Sequence, residues 1–326
     1  MSMRWGMTVP LSGIPLSEHA EVYRTLADAG FTDLWTSEVA GSDAFTPLTL
    51  AAAWAPGLRL GTAVAPVFTR GPGLLAMTAA ALAETAPGRF QLGIGASSPV
   101  VVGDWNAAEF TEPFQRCRDM LRFLRPALAG ELVDGQFETF FVRRFRLERP
   151  PAAPPQIMLA ALRPGMLRLA AAEADGVILN WLSARDVHTA LAEVKTDKPD
   201  FDVAARIFVC PTDDAGHARR LGRRMIAAYL TVPAYAAFHR WLGREEVLNP
   251  MWQAWSSGDR KGALAAIPDK VVDDLIVHGS PAECRAKVEA YVRAGITVPA
   301  MALLPTPTLD SGDTSAILDL LTALGR

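Results

Sequence analysis

The sequence has few cysteines, little net charge and no long uninterrupted hydrophobic segment. Its three cysteines, at positions 117, 210 and 284 of 326, are odd in number and far apart, which predicts buried free thiols rather than a disulfide framework. A net charge of −3 gives no general attraction to nucleic acid or to anionic membranes. No apolar segment reaches membrane-span length without proline, glycine or charge, and residues 1–10 contain no signal-peptide pattern. These absences favour a cytoplasmic protein that binds neither nucleic acid nor membrane.

Several motifs of known catalytic sites are also missing. The five histidines show no metal-ligand spacing with one another or with cysteine, so no metal site is predicted. The chain contains neither a P-loop lysine motif nor a Gly-x-Ser-x-Gly nucleophile motif. Gly93-Ile94-Gly95 lacks the third glycine of a dinucleotide-binding loop. The sequence therefore does not support a nicotinamide dinucleotide site or a catalytic triad.

Strands and helices alternate along nearly the whole chain. Hydrophobic residues make up 50% of the sequence and charged residues 21%, which suits a large buried core. Short apolar segments between helical ones predict eight parallel strands, at residues 5–9, 31–36, 58–65, 89–95, 156–161, 176–180, 204–210 and 298–304. This number favours one closed α/β (β/α)8 TIM barrel, a single domain over residues 1–326, rather than two doubly wound domains.

Two additions to the barrel are expected. Residues 132–147 contain extended segments around Asp134-Gly135, which predicts a small hairpin before strand five. Residues 231–268, after strand seven, are rich in tryptophan and contain no strand-like segment, and they are predicted to form a helical insertion.

Few titratable groups follow the predicted strands, although ligands of such folds bind beyond the carboxyl ends of the strands. Arg163 precedes Pro164 and Gly165 at the start of a helix, where free backbone N–H groups and a positive side chain suit an anion. Such a site suits a redox cofactor that carries its own chemistry. The polar groups that follow strands two to four are Glu38, Asp43, Thr69, Arg70, Ser97 and Ser98.

Five segments give the chain a specific resemblance to a known family. They are AGFTDLWTSE (29–38), LRLGTAVAPVFTRGP (58–72), PGRFQLGIGASSP (87–99), ADGVILNW (174–181) and HGSPAECRAKVEAYVRAGI (278–296). The chain resembles the luciferase-like superfamily of flavin- and deazaflavin-dependent oxidoreductases, on the branch that uses coenzyme F420. The resemblance covers nearly the whole length and implies the same barrel.

The resemblance implies roles for residues around the deazaflavin ring. Ala63-Val64 matches the position of the family's non-prolyl cis peptide, behind the ring. Glu38 matches an acidic residue near the ring edge, and it is the candidate catalytic proton donor. Ser97 and Ser98 match positions that line the ring or its side chain, with helix capping as the alternative role.

The resemblance also implies a site for the phosphate of the cofactor tail and shows two departures. The turn that matches this site consists of Ala160, Ala161, Leu162, Arg163, Pro164 and Gly165. Leu162 stands where relatives often have glycine. Val39 and Ser97-Ser98 replace the histidine and glutamate of relatives that oxidise sugar phosphates, which disfavours that reaction.

Aromatic residues offer a candidate substrate chamber, with packing in the core as the simpler interpretation of each. They are Trp35, Trp105, Trp181, Tyr235, His239 and Trp252.

The favoured hypothesis is hydride transfer between coenzyme F420 and an uncharged, fairly apolar small molecule, with Glu38 supplying at most one proton. An FMN-dependent luciferase-like monooxygenase is the alternative within enzymes. If the protein is not an enzyme, the alternative is a non-catalytic flavin- or deazaflavin-binding protein. The family resemblance further implies a homodimer.

Overall fold

The computed structural model describes residues 4–326, and eight of its strands close into a parallel barrel. Around the ring they run in the order β10-β12-β1-β2-β3-β5-β8-β9, and β9 pairs with β10 to complete the circle. The strands are β1 (Gly6–Thr8), β2 (Asp33–Thr36), β3 (Arg59–Thr62), β4 (Ala65–Pro66), β5 (Phe90–Gly95), β6 (Val133–Gln136), β7 (Phe141–Phe145), β8 (Gln156–Ala160), β9 (Gly176–Asn180), β10 (Asp202–Pro211), β11 (Ile276–Gly279) and β12 (Val298–Leu303). The predicted eight-stranded TIM barrel is confirmed.

Helices cover the outside of the barrel. They are α1 (His19–Asp28), α2 (Thr46–Trp54), α3 (Pro72–Thr85), α4 (Pro113–Leu128), α5 (Pro164–Glu173), α6 (Asp186–Leu191), α7 (Ala215–Leu230), α8 (Pro233–Trp241), α9 (Glu245–Ser256), α10 (Arg260–Ala265), α11 (Asp269–Leu275), α12 (Pro281–Arg293) and α13 (Thr314–Leu324). Between residues 4 and 326, no helix has both the length and the apolar content that a membrane span requires. All three cysteines are buried and unpaired, as predicted.

The strands are apolar because both of their faces are covered. Every residue of β5 is buried, with one face toward the helices and the other toward the barrel interior. Small residues make room inside: a Cβ on Gly93 would lie 1.9 Å from the Thr62 carbonyl oxygen, and one on Gly61 would lie 2.5 Å from the Trp35 ring. The interior is therefore packed around Trp35.

A polar network closes the amino-terminal end of the barrel. Arg4 forms ion pairs with Asp33 of β2 and Asp202 of β10. It also donates a hydrogen bond to Gln91 of β5 at 2.9 Å, and Gln91 in turn donates to Asp202 at 2.6 Å. Because each charge has a partner, this end can be buried without leaving charges uncompensated.

The hairpin is confirmed, but its predicted turn is wrong. Strands β6 and β7 pair antiparallel, and Asp134-Gly135 lies within β6, where the register shifts. The chain reverses at residues 137–140 instead, where Phe137 N–H donates to the Phe140 carbonyl. The stacked rings of Phe137 and Phe140, 4.8 Å apart, stabilise this turn in place of an Asp-Gly type I′ turn.

The insertion after strand seven is helical, as predicted, and it is joined to the barrel by a strand that the sequence did not indicate. Helices α8, α9 and α10 occupy residues 233–265. Strand β11 pairs in parallel with the upper half of β10, through Phe208 to Pro211. Strand β9 pairs with the first part of β10, from Asp202 to Arg206. Strand β11 therefore pairs with the same edge of β10, beyond the point where the pairing with β9 ends.

Candidate active site

Small side chains from three neighbouring strand ends meet at the mouth of the barrel. Ala63, Val64 and Ala160 all pack against the interior cluster around Trp35. A Cβ on Gly95 would lie 3.0 Å from both Ala160 Cβ and Val64 Cγ2. The Ala63-Val64 peptide bond is cis, as the family resemblance implies. These residues form a surface of backbone and small apolar groups.

Glu38 lies at the same mouth and is held by an arginine. Its carboxylate accepts a hydrogen bond from Arg70 Nη2 at 2.7 Å and from the backbone N–H of Ala44 at 2.9 Å. Arg70 also lies 3.7 Å from Asp43 and stacks over the Phe45 ring at 4.8 Å. The pair ties the loop after β2 to the loop after β4, so Glu38 is held in one position.

Ser97 and Ser98 follow β5 and differ in their local roles. Ser98 Oγ accepts a hydrogen bond from the Val101 N–H at 3.3 Å, at the start of a short π-helical turn over Val100–Asp104. The N-cap residue of this turn is Pro99, which makes no side-chain capping bond, so Ser98 contributes one local hydrogen bond just before the turn. Ser97 has a backbone φ of 65°, a left-handed conformation that turns the chain sharply at the strand end.

The turn at residues 160–165 leads into α5 as expected. Arg163 is the N-cap residue, its side chain makes no capping bond, and Pro164 opens the helix. The N–H groups of Gly165 and Met166 therefore have no acceptor within the helix. Arg163 is exposed, and within residues 4–326 its guanidinium forms no ion pair. Ala160 and Leu162 are partly buried and Ala161 is buried, so the turn presents a helix start with unpaired N–H groups beside the mouth.

Arg206 was not among the residues predicted from the sequence, and it lies on β10 inside the barrel. Arg206 pairs in register with Asn180 of β9 and with Ala300 of β12. Its Nε is buried, with no hydrogen-bond partner in the described part of the chain. Burial lowers the pKa of this guanidinium from its usual value. The signal was available: an arginine in the middle of a buried apolar strand is unusual.

Arg206 faces a small cavity at the centre of the barrel. The cavity has a volume of about 10 Å³ and is lined in part by Thr8, Trp35, Ala63 and Arg206. Thr8 Oγ1 and Trp35 Nε1 are also buried without a hydrogen-bond partner among residues 4–326. Natural interiors rarely leave such polar atoms unsatisfied, so this combination marks a place for an additional polar group.

Aromatic residues form a wall beside Arg206. Its guanidinium carbon lies 5.1 Å from the centre of the Phe208 ring. The Trp181 ring lies 4.4 Å from Phe208 and 5.0 Å from Tyr229. Tyr235 OH accepts a hydrogen bond from Asn180 at 3.1 Å, and burial raises the pKa of Tyr235 to about 12, so its hydroxyl stays protonated.

The expected aromatic chamber is therefore only partly assembled. Trp181 and Tyr235 belong to the wall beside Arg206, and Trp35 lies deeper in the barrel. Trp105 is 54% exposed on the surface. Trp252 donates a hydrogen bond to the Leu230 carbonyl at 2.8 Å, which is a packing role in the insertion.

No group of three metal-ligating side chains occurs within residues 4–326.

Comparison of the whole chain with known proteins gives relatives in sequence and in structure. It is 29% identical over 312 residues to a provisionally named coenzyme F420-dependent oxidoreductase of Mycobacterium tuberculosis, covering 87% of this chain and 90% of the relative. It is 26% identical over 290 residues to 5,10-methylenetetrahydromethanopterin reductase of Archaeoglobus fulgidus, covering 85% and 87%.

Two solved structures share the fold over almost their whole length. The F420-dependent tetrahydromethanopterin reductase of Methanopyrus kandleri superposes with a TM-score of 0.76 at 18% identity, covering 99% of this chain and 98% of that one. An F420-dependent secondary alcohol dehydrogenase bound to an F420-acetone adduct superposes with a TM-score of 0.78 at 14% identity, covering 100% of both chains. An FMN-bound Baeyer-Villiger monooxygenase component from Pseudomonas putida superposes less closely, with a TM-score of 0.65.

The luciferase-like monooxygenase family matches residues 3–298. This match covers most of the chain, and it includes the barrel strands up to the start of β12 and all the residues of the mouth described above. The chain belongs to the luciferase-like monooxygenase family.

Proposed function

We propose that this protein is an oxidoreductase that transfers a hydride between coenzyme F420 and a small organic substrate. The observation that carries the proposal is the mouth itself, where a flat surface of small side chains lies beside a helix start with free N–H groups and the exposed Arg163. The names of the sequence relatives and the two closely superposed F420-dependent structures support this cofactor.

The residues at the mouth fit a planar ring with a phosphate-bearing tail. Ala63, Val64 and Ala160 carry no charge or long side chain, and at Gly95 a Cβ would crowd two of them. The free N–H groups at the start of α5 and the side chain of Arg163 are suitable donors for a phosphate. Bound there, the deazaflavin would accept or supply the hydride, and the protein would orient the substrate against it.

Glu38 is proposed as the group that handles a proton at the mouth. Arg70 and the Ala44 N–H hold its carboxylate in place, so its position does not depend on the substrate. The sequence favoured an uncharged substrate because few titratable groups follow the strands. Arg206 adds a cation to the cavity inside the barrel, and its consequence for the substrate is developed below.

Cofactor titration under anaerobic conditions tests the proposal. We expect F420 to bind tightly and reduced F420 to be consumed with at least one member of a panel of enones, imines and nitroaromatics that includes carboxylate-bearing members. Tight binding of FMN with no binding of F420 would establish the flavin monooxygenase alternative, which the FMN-bound structural relative supports. F420 binding with no turnover across the panel would favour a non-catalytic binding protein.

A homodimer is the assembly proposed from the resemblance. Leu74 and Met77, three residues apart on α3, are each 51% exposed, and side chains at this spacing share one face of a helix. Light scattering of the purified chain would test this assembly. The cytoplasmic location likewise stays a prediction.

A further inference from the structure

Arg206 carries a partly buried charge, with Nε fully buried, that the rest of the described structure does not neutralise. Three partly buried arginines near the barrel ends have carboxylate partners, which are Asp33 for Arg4, Glu38 for Arg70 and Asp186 for Arg244. Arg59, Arg89 and Arg116 are partly buried without an ion pair among residues 4–326, but none of them lines the cavity inside the barrel. Arg206 forms no ion pair and no hydrogen bond with any residue from 4 to 326. The titratable side chains near it are Tyr229 and Tyr235, and neither is a carboxylate that could form an ion pair with it.

The surroundings of Arg206 select the kind of group that it can bind. The cavity beside it, about 10 Å³, has room for one water-sized group, which suits a single oxygen of a ligand. Thr8 Oγ1, lining the same cavity, is a second donor without a partner within the described chain. One carboxylate oxygen can accept hydrogen bonds from an arginine and from a hydroxyl at the same time, so the pair suits a single oxygen of a carboxylate.

The wall beside Arg206 selects the rest of the ligand. Phe208, Trp181 and Tyr229 form a continuous aromatic cluster with centroid distances of 4.4 to 6.4 Å. Phe208 lies two residues after Arg206, and side chains two apart on a strand point to the same side. Phe208 and Trp181 are 2% and 1% exposed, whereas Tyr229 is partly exposed. A flat, apolar body attached to the carboxylate would therefore lie against the Tyr229 ring, with Phe208 and Trp181 packed behind it.

We propose that Arg206 and Thr8 bind the carboxylate of a flat aromatic or conjugated organic acid, and that such acids are the substrate class of this enzyme. The claim that these acids are substrates rests on the proposed function. Binding of the acid itself does not, because it requires no cofactor. It replaces the uncharged substrate favoured by sequence with one that carries a single negative charge away from the reacting carbon.

Calorimetric titration of the cofactor-free protein with matched probes tests the carboxylate site. The probes are benzoate, phenylacetate and cinnamate, with benzamide as the uncharged isostere of benzoate. We expect at least one acid to bind, and the affinity for benzoate to exceed that for benzamide at least tenfold. Equal affinity for benzoate and benzamide, or no binding by any of the three acids, would overturn the proposal.

Two substitutions assign the binding to Arg206. Arg206→Met should weaken benzoate binding at least tenfold and leave benzamide binding unchanged, while Arg206→Lys should retain part of the preference for the acid. Arg163→Met, which removes a cation from the helix start outside the cavity, is the matched control and should leave benzoate affinity unchanged. Thermal melting verifies that each variant is folded, and Arg206→Lys serves alone if Arg206→Met does not fold. Unchanged benzoate binding in a folded Arg206 variant contradicts the proposal.

Measuring the affinity for F420 shows whether Arg206 binds the acid or the deazaflavin cofactor. F420 fluorescence quenching should give the same affinity, within threefold, for the wild type and Arg206→Met. A large loss of F420 affinity together with unchanged benzoate binding would show that Arg206 serves the cofactor instead, and the carboxylate site would be rejected. If F420 does not bind the wild type at all, the proposed function fails while the benzoate measurements still decide the carboxylate site.

Discussion

At the scale of single residues, the barrel interior depends on positions where no side chain fits. Gly93 is such a position, because an added Cβ would lie 1.9 Å from the Thr62 carbonyl oxygen and 2.4 Å from Ile178 Cδ1. The first of these atoms belongs to the backbone and cannot move aside without disturbing β3. The constraint acts across two strands, so it is invisible in the sequence around Gly93.

We predict that Gly93→Ala lowers the free energy of unfolding by about 2 kcal/mol or more, as overpacking of cores does. Chemical denaturation measures the effect. Gly57→Ala is the control, because a Cβ there meets nothing within 4 Å, and it should change stability by less than about 0.5 kcal/mol. Similar effects of the two substitutions would show that the barrel interior relaxes around a methyl group.

Glu38 and Arg70 yield a prediction about activity. Glu38→Gln should keep the hydrogen bond from the Ala44 N–H through its amide oxygen but remove the negative charge. Turnover should fall about 10²-fold or more if Glu38 handles a proton, with little change in F420 affinity. Arg70→Met is the comparison variant, since it removes the partner that orients Glu38 and leaves the carboxylate. Undiminished turnover in Glu38→Gln would assign the pair to loop structure alone.

His239 should make stability depend on pH. It is fully buried, and burial, followed by the nearby charge of Arg244, lowers its pKa to about 3. In the unfolded chain its pKa is about 6.5, so between these values the unfolded state binds more protons and folding stability falls as pH falls. The slope contributed by one histidine is at most about 1.4 kcal/mol per pH unit.

Denaturation at pH 7 and pH 5 tests this contribution. Both ring nitrogens of His239 lack hydrogen-bond partners in the described structure, so His239→Leu should retain wild-type stability at pH 7 within about 1 kcal/mol. It should also lose less stability than the wild type between pH 7 and pH 5. Equal losses in the two proteins would mean that His239 is protonated in the folded state.

At the scale of elements, the pattern of the sequence located all eight barrel strands, and local signals identified several helix starts. It missed β11 because α11 ends at Leu275 and β11 begins at the next residue, Ile276, with no proline or glycine between them. It misplaced the hairpin turn because Asp134-Gly135 is a strong turn signal that tertiary packing of two phenylalanines overrides. Arg206 was missed for a related reason: its isolation depends on contacts that only the closed barrel defines.

Helix α12 provides a prediction at this scale. It begins with a capping box, in which Ser280 Oγ accepts from the Glu283 N–H and Glu283 accepts from the Ser280 N–H at 2.8 Å. Ser280→Ala should destabilise the protein by about 1 kcal/mol, and Ser280→Asp should restore most of that loss. Thermal and urea unfolding measure both. If Ser280→Asp loses as much stability as Ser280→Ala, the serine hydroxyl itself, and not capping by any acceptor side chain, stabilises the protein.

At the scale of the whole molecule, the insertion and the barrel share apolar contacts. One buried cluster combines Leu248 and Met251 of α9 with Phe208 of β10 and Ala302 of β12. Since neither part can expose this cluster freely, we predict a single unfolding transition over residues 1–326. Calorimetry together with tryptophan fluorescence tests it. Two separate transitions would divide the chain into two folding units and contradict the single-domain interpretation.

The closed amino-terminal end of the barrel has a consequence for the entry and release of ligands. Because Arg4, Asp33 and Asp202 close that end, a molecule bound at Ala63 and Ala160 can leave only through the carboxyl-terminal end of the barrel. If the cofactor binds there as proposed, it shares this one opening with any acid held by Arg206. We therefore predict that the two bind in a compulsory order.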